Sequence, residues 1–294
     1  HMSARRQRQM CIRDRSMSSR AKITDVSQRH ITAFLEKTKP VTRTWHSKYS
    51  RLRGFFRYAV SRGFIANSPL PNVIARQPPP FVPYIYSREE LRRLVETIDA
   101  DPRKNCIGAA TIRALVLTYY GAGLRLREAT NLTSGDVDLQ QSLLTIRNTK
   151  FDKTRIVPVG SQLGEALSRY TQETRRMRSL SANSPFFITR SGDPVKPDTF
   201  QHNFRILCDR AGIRRTDSSE QPRIHDLRHT FAVHRVTSWY QQGANVQRLL
   251  PLLSVYLGHV HIRHTQVYLS MTPELLQEAS RRFESYAGKD HHHD

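Results

Sequence analysis

The sequence predicts a mainly α-helical protein with a small antiparallel β-sheet, divided into a short N-terminal helical unit and a longer C-terminal one. Three observations carry that expectation. Apolar residues recur at helical spacing through most of the chain, while β-type runs gather at residues 142–159. The segment Gln77-Pro78-Pro79-Pro80-Phe81-Val82-Pro83 separates two stretches of different charge density. Consecutive prolines lack amide donors, cannot sit inside a helix and favour an extended course, so this segment is read as a linker.

Before the prolines, residues 25–36 and 41–63 read as helices. The second carries Trp45, Tyr49, Leu52, Phe55, Phe56 and Ala59 at helical spacing as candidate core. Its other face holds Arg43, Lys48, Arg51, Arg53 and Arg57, either a DNA-binding surface suited to phosphates or a solvated face. After the prolines, Ser87-Arg88-Glu89-Glu90 is a capping box that opens a helix. Residues 107–120 form a mostly apolar, buried helix; Gly121-Ala122-Gly123 breaks it, and 124–132 resumes helically. Strands at 142–146 and 155–159 join through a basic hairpin at 150–153. Helices follow at 163–177 and 199–211 with a short apolar strand at 185–188 between them, then at 224–240, 246–257 and 272–286.

Lys plus Arg number 47 and Asp plus Glu 25, a formal net charge of +22 that points to a polyanionic partner, nucleic acid before all others. The excess is +14 in residues 1–80 and +8 in the remainder, so the smaller unit is the more densely basic. With 38% hydrophobic residues a wholly disordered chain is excluded, and no apolar run reaches the roughly 18 residues of a membrane span. Three cysteines, none in a CxxC pair, exclude a disulfide scaffold and fit a reducing compartment; Cys106 and Cys208 are read as small buried hydrophobes. The ends carry no chemistry. Residues 1–16 are read as a scar, His1-Met2, followed by a stretch in which Met10-Cys11-Ile12-Arg13-Asp14-Arg15 resembles a translated sequencing adapter or else a basic disordered arm; 288–294 are read as a tag remnant. The division is therefore 17–76 for a partial helical unit, 77–86 for the linker and 87–287 for the larger unit.

Four clusters could carry chemistry. They are Gly123-Leu124-Arg125-Leu126-Arg127-Glu128; residues 148–158, containing Lys150, Lys153 and Arg155; His225-Asp226-Leu227-Arg228-His229-Thr230-Phe231; and Leu257-Gly258-His259, with Tyr268 nine residues beyond the histidine. Each alone is weak, and an isolated HxxR is ordinarily structural. Together they make sense on a phosphodiester. Negative charge gathers on its non-bridging oxygens during attack, and planar guanidiniums match that geometry. His225 stands one helical turn from Arg228, so both can face one phosphate. A tyrosine nucleophile forms an ester that conserves bond energy for rejoining. With an ordinary pKa near 10, exposing its anion at neutral pH costs roughly 4 kcal/mol, so it needs a cationic surrounding and a base. A lysine such as Lys150 can protonate a departing oxygen when nearby cations lower its pKa.

In order, spacing and identity the clusters resemble the tyrosine recombinase (phage integrase) family. The resemblance covers residues 85–287 and, more loosely, 20–76 as the tail of a truncated helical core-binding domain. It implies a catalytic domain at 87–287 with Arg125, Lys150, His225, Arg228 and His259 around the nucleophile Tyr268, Glu128 supporting them and Lys153 as alternative acid on the hairpin. His225 is then proton acceptor from Tyr268 or orients the phosphate. The implied activity is site-specific DNA recombination or integration through a 3′-phosphotyrosyl intermediate, without metal or nucleotide cofactor. It would act as a clamp on duplex DNA in a bacterial cytoplasm, associated with the nucleoid when bound. The apolar stripe Leu275, Leu276, Ala279, Phe283 and Tyr286 packs either on its own domain or, as the resemblance implies, on a neighbouring protomer as a C-terminal helix exchanged within a tetramer. The stretch from Arg228 to His259 is longer than in compact members, which leans toward a mobile-element enzyme. A type IB topoisomerase and an idle architectural DNA-binding factor are the rival functions. His259, His261 and His264 lack a cysteine or acidic companion for a metal, Gly121-Ala122-Gly123 is a turn rather than a nucleotide cradle, and His229 is a packed or capping residue.

Overall fold

The computed structural model describes residues 22–37, 41–71, 74, 76, 77, 81–102, 106–147, 154–175, 181–216, 221–270, 276, 277, 280 and 281. Backbone contacts divide the chain into two compact units, His1–Phe81 and Val82–Asp294.

In the first unit a single 3-10 turn, Ile23–Asp25, precedes α1 (Gln28–Glu36) and α2 (Arg43–Ser61). Thr42 caps α2 by accepting the Trp45 amide at 3.4 Å. Ile31, Leu35, Trp45, Tyr49 and Phe56 form the core, and the rings of Trp45 and Tyr49 stack at 5.4 Å. Phe55 departs from the expectation: it is 52% exposed. At about 100° per residue it sits roughly 80° off the centre line of Trp45, Tyr49, Leu52, Phe56 and Ala59, beyond the stripe that α1 covers. Arg43, Arg51, Arg53 and Arg57 are exposed and Lys48 is half-buried over the Phe34 ring.

The second unit opens with α3 (Arg88–Asp99), whose capping box is formed: Ser87 Oγ accepts the Glu90 amide at 3.1 Å and Glu90 Oε2 accepts the Ser87 amide at 2.8 Å. Its central element is α4 (Ala109–Ala122), buried on several faces and packed against α3, α6 and α8. Next come the short α5 (Leu126–Thr130), strands β1 (Val137–Asp138), β2 (Leu143–Ile146) and β3 (Arg155–Pro158), α6 (Ser161–Arg175) and α7 (Pro197–Arg210). Last are α8 (Ile224–Gln241), α9 (Val246–Leu257), α10 (Arg263–Gln266) and a 3-10 turn, Val267–Ser270. The sheet is antiparallel in the order β1-β2-β3, with Leu144 opposite Val157 and both fully buried. The fold is thus mainly helical with a small antiparallel sheet.

Four local readings need correction. The helix expected to break at Gly121 runs through Ala122, because Gly121 lets the Leu163 side chain lie against the helix; only Gly123 leaves it. The strand expected at 185–188 consists of two isolated bridges, Thr133 with Pro185 and Ile188 with Pro194, since Pro185 has no amide to extend a ladder. Strand β1, two residues long, carries too little periodicity to be read in advance. Cys106 is exposed, whereas Cys208 is buried. Among the described residues no helix is long and apolar enough to cross a membrane.

Candidate active site

Gly123 ends α4 in the left-handed region at φ 57°, where a Cβ would come within 2.6 Å of Phe231 and 2.9 Å of Leu257. Only glycine fits, and the tight turn aims Arg125 back toward α8 and α9. Gly258 performs the same service at the end of α9 with φ 65°, and the chain then delivers His259. Two glycine turns from different helices therefore meet at one place.

The arginines stitch those turns together. Arg228, on α8 and only 2% exposed, donates from Nη1 to the Gly123 carbonyl and from Nη2 to the Leu257 carbonyl, both at 2.5 Å. Arg125 donates from Nη2 to the neighbouring Gly258 carbonyl at 2.6 Å and from Nη1 to Glu128 Oε1 at 2.7 Å. Because Leu257 and Gly258 are consecutive, the two guanidiniums approach one strip of backbone. A guanidinium has five N–H donors, so Arg228 keeps hydrogens beyond the two bonds that hold it.

Glu128 is the carboxylate of the cluster. It accepts Arg155 Nη1 at 3.1 Å and Nη2 at 2.7 Å, as well as the Arg125 amide at 3.0 Å. Burial alone would raise its pKa, but the bonds from Arg155 and Arg125 overcome that and hold it at about 2. Arg155 also donates from Nε to the Tyr256 carbonyl at 3.0 Å, tying β3 to the end of α9. The sequence reading includes Arg155 only as part of a hairpin ending; its bond to Glu128 spans 27 residues, and no local spacing announces it.

Tyr268 stands in the 3-10 turn 267–270, 1% exposed, with its ring 6.3 Å from that of His259. Burial raises its pKa, while Arg228 and Arg125 pull it partly back. His259 is fixed by a 2.7 Å bond between Nδ1 and Thr265 Oγ1. Packing, then Arg228 and Arg125, push its pKa down to about 3. Burial of its ring, which meets that of His229, and then Arg228, Arg223 and Arg125 push the His225 pKa down to about 4. Burial takes the Arg228 pKa down to about 10, with Arg125 adding to the fall, which still leaves it charged at neutral pH. At pH 7 the cluster is thus cationic through its guanidiniums while its imidazoles are neutral.

His229 corrects the expectation of a merely packed or capping residue: its Nδ1 lies 3.1 Å from the Tyr268 hydroxyl. Its position one turn beyond His225, on the same face of α8, was the available signal. The structure brings Arg125, Glu128, His225, Arg228, His259 and Tyr268 into one cluster of the second unit, with His225 meeting the His229 ring edge to face at 5.0 Å. Lys150 and Lys153 lie outside the described residues; the strands flanking them end at the Ile146–Arg155 pair. His261 and His264 are exposed, and among the described residues no group of three His, Cys, Asp or Glu could hold a metal ion.

Comparison with known proteins agrees on one family. A family profile described as "Phage integrase family" matches residues 86–274. A Sinorhizobium fredii protein carrying the name integrase/recombinase y4rB is 35% identical over 248 residues, which is 82% of this chain and 78% of that protein. Tyrosine recombinase XerA of Thermococcus onnurineus is 32% identical over 208 residues, 69% of this chain and 64% of its own length, so the chain spans just under two thirds of that relative. Among solved structures, the Tn1549 transposon integrase in complex with transposon right end DNA superposes with a TM-score of 0.68 at 18% identity, covering 96% of this chain and 92% of that one.

Proposed function

The chain belongs to the phage integrase family of tyrosine recombinases and is a site-specific recombinase acting on DNA, and on that premise we propose that Tyr268 cleaves and rejoins the strand within its own chain's cluster. The Tyr268 oxygen bonds to the scissile phosphorus as its proton passes to a non-bridging oxygen of that phosphate, and the bond to the 5′ oxygen breaks, leaving a 3′-phosphotyrosyl link. Lys150, or Lys153 in its stead, protonates the departing oxygen. Arg125, Arg228 and His259 hold the negative charge of the five-coordinate phosphorus, worth several kcal/mol in a site whose donors are already oriented. Glu128, pinned by Arg155, keeps Arg125 in place. His225 orients the phosphate; this assignment rests on the Tyr268 hydroxyl being bonded to His229 rather than to His225. In rejoining, a 5′-hydroxyl attacks the same phosphorus as the lysine takes back its proton, and Tyr268 departs regaining its own from the phosphate oxygen, which needs no added energy source and no metal or nucleotide cofactor.

One observation carries this reading: the Tyr268 hydroxyl is buried beside the arginines and imidazoles of the same chain. The basic face of α2, with Arg43, Lys48, Arg51, Arg53 and Arg57, supplies phosphate contacts that fall away with salt. We further assign the chain to a mobile element and to a homotetramer on DNA. Leu252, Val255, Val260 and Ile262 are exposed apolar side chains along α9 and the turn after it. A second copy's residues 272–286 would cover them; within that stripe Leu276 is exposed, while Leu275, Ala279, Phe283 and Tyr286 lie outside the described residues.

The test is covalent capture. The chain is incubated with a library of nicked duplexes of randomised sequence, denatured in detergent, and protein-linked DNA is sequenced. Wild type is expected to yield adducts converging on one sequence, and Tyr268→Phe none. Absence of wild-type adducts where a mobility shift shows binding would overturn the reading; adducts without sequence preference would point to a topoisomerase.

A further inference from the structure

Among the described residues, one polar group bonded to the nucleophile has no part in the reaction above. His229 Nδ1 lies 3.1 Å from the Tyr268 hydroxyl, with the rings 5.7 Å apart and tilted by 56°. Tyr268 is 1% exposed, so water has little access to compete for that hydroxyl. The imidazole stands on α8 directly after Arg228, whose two carbonyl bonds fix the helix against both glycine turns, so His229 has a rigid base.

The charges around the pair fix its protonation state. Burial first, then His225, Arg228, Arg223 and His259, depress the His229 pKa to about 3, while burial raises that of Tyr268. The imidazole is therefore neutral and the phenol protonated. A neutral imidazole carries its hydrogen on Nδ1 or on Nε2; because the Arg228 guanidinium already donates to the phenol oxygen, we take the Nε2–H tautomer, in which the hydroxyl donates its own hydrogen to Nδ1. With its hydrogen turned to His229, the phenol oxygen turns its lone pairs elsewhere, and it is a lone pair that attacks phosphorus.

We propose that His229 is the positioning residue of the nucleophile: by accepting the Tyr268 hydroxyl hydrogen it fixes the direction of the oxygen lone pairs before DNA arrives. The inference rests on Tyr268 being the nucleophile. Without this acceptor the phenol oxygen keeps its hydrogen bond from Arg228, but its own hydrogen is no longer directed, and attack waits on one orientation among several.

The test measures the rate of covalent adduct formation on a nicked duplex carrying the sequence captured by the wild type, with DNA binding and thermal unfolding measured alongside. His229→Asn offers an amide oxygen near the position of Nδ1; His229→Gln carries its oxygen one bond farther; His229→Leu offers bulk without an acceptor. Leucine and glutamine are expected to slow adduct formation at least tenfold with binding unchanged, and asparagine to return it to within threefold of wild type. Asparagine and glutamine remain comparable even if leucine impairs folding. Equal rates for asparagine and glutamine, or a leucine variant as fast as or faster than wild type, would overturn the proposal. Failure of the wild type itself to form an adduct would instead sink the assignment of Tyr268.

Discussion

Cations are used in opposite ways in the two units. On α2 the arginines Arg43, Arg51, Arg53 and Arg57 face outward from a core of five buried apolar side chains, in a region with a net charge of +14. In the second unit the charge density is lower, yet Arg228 is 2% exposed and Arg155 13%, each held by named carbonyls or a carboxylate. Exposed cations are mutable point charges whose value is screened by salt. Buried ones cost several kcal/mol to desolvate and persist only where hydrogen bonds compensate. On the function proposed above, the difference separates holding a polyanion from reacting with it.

The largest effect should come from Arg228→Lys. An ammonium cannot reach both the Gly123 and Leu257 carbonyls as the planar fork does. Adduct formation should fall at least a hundredfold, and chemical denaturation should show a loss of about 2–4 kcal/mol. A variant with wild-type stability and rate would erase the distinction between the units.

Next in size is Glu128→Gln. The carboxyl is held at about 2 against an ordinary 4.5, so it contributes stability that is fully present above about 4.5 and disappears as pH falls toward 2. The side chain is 7% exposed, and the shift corresponds to about 3 kcal/mol. Unfolding curves from pH 7 to pH 2 should lose that much in the wild type and visibly less in the variant; parallel curves would refute the linkage.

The smallest effect belongs to α2. Arg53→Ala or Arg57→Ala should weaken DNA binding by less than about tenfold and lower the salt slope by about one, with the adduct rate on saturating DNA unchanged. A change in that rate would mean that the outer cations also shape the reaction.

How much of this was readable in advance depends on how far each feature reaches along the chain. The stripe through Trp45, Tyr49, Phe56 and Ala59, the Ser87–Glu90 box and the glycine at 123 are local, because periodicity, capping and left-handed turns are properties of a few consecutive residues. Phe55 misled because it lies at the stripe's edge, where the position of α1 decides burial. The site residues Arg125, Glu128, His225, Arg228, His259 and Tyr268 stood out through their order and resemblance. Their partners did not: Arg155 reaches Glu128 across 27 residues, and His229 reaches Tyr268 across 39. Such contacts are made by packing of α8, α9 and β3; spacing hints at His229 through its place one turn beyond His225, but encodes neither partner. Lys150 remains an assignment by resemblance, its hairpin being outside the described residues.

The two carbonyls gripped by Arg228 bear on how an inert version should be made. That side chain is a keystone whatever it does in the reaction, so deleting it loosens the masonry and a silent enzyme would say little about chemistry. Shaving the single oxygen from Tyr268 leaves the arch standing, and should furnish a recombinase that seizes its target and goes no further.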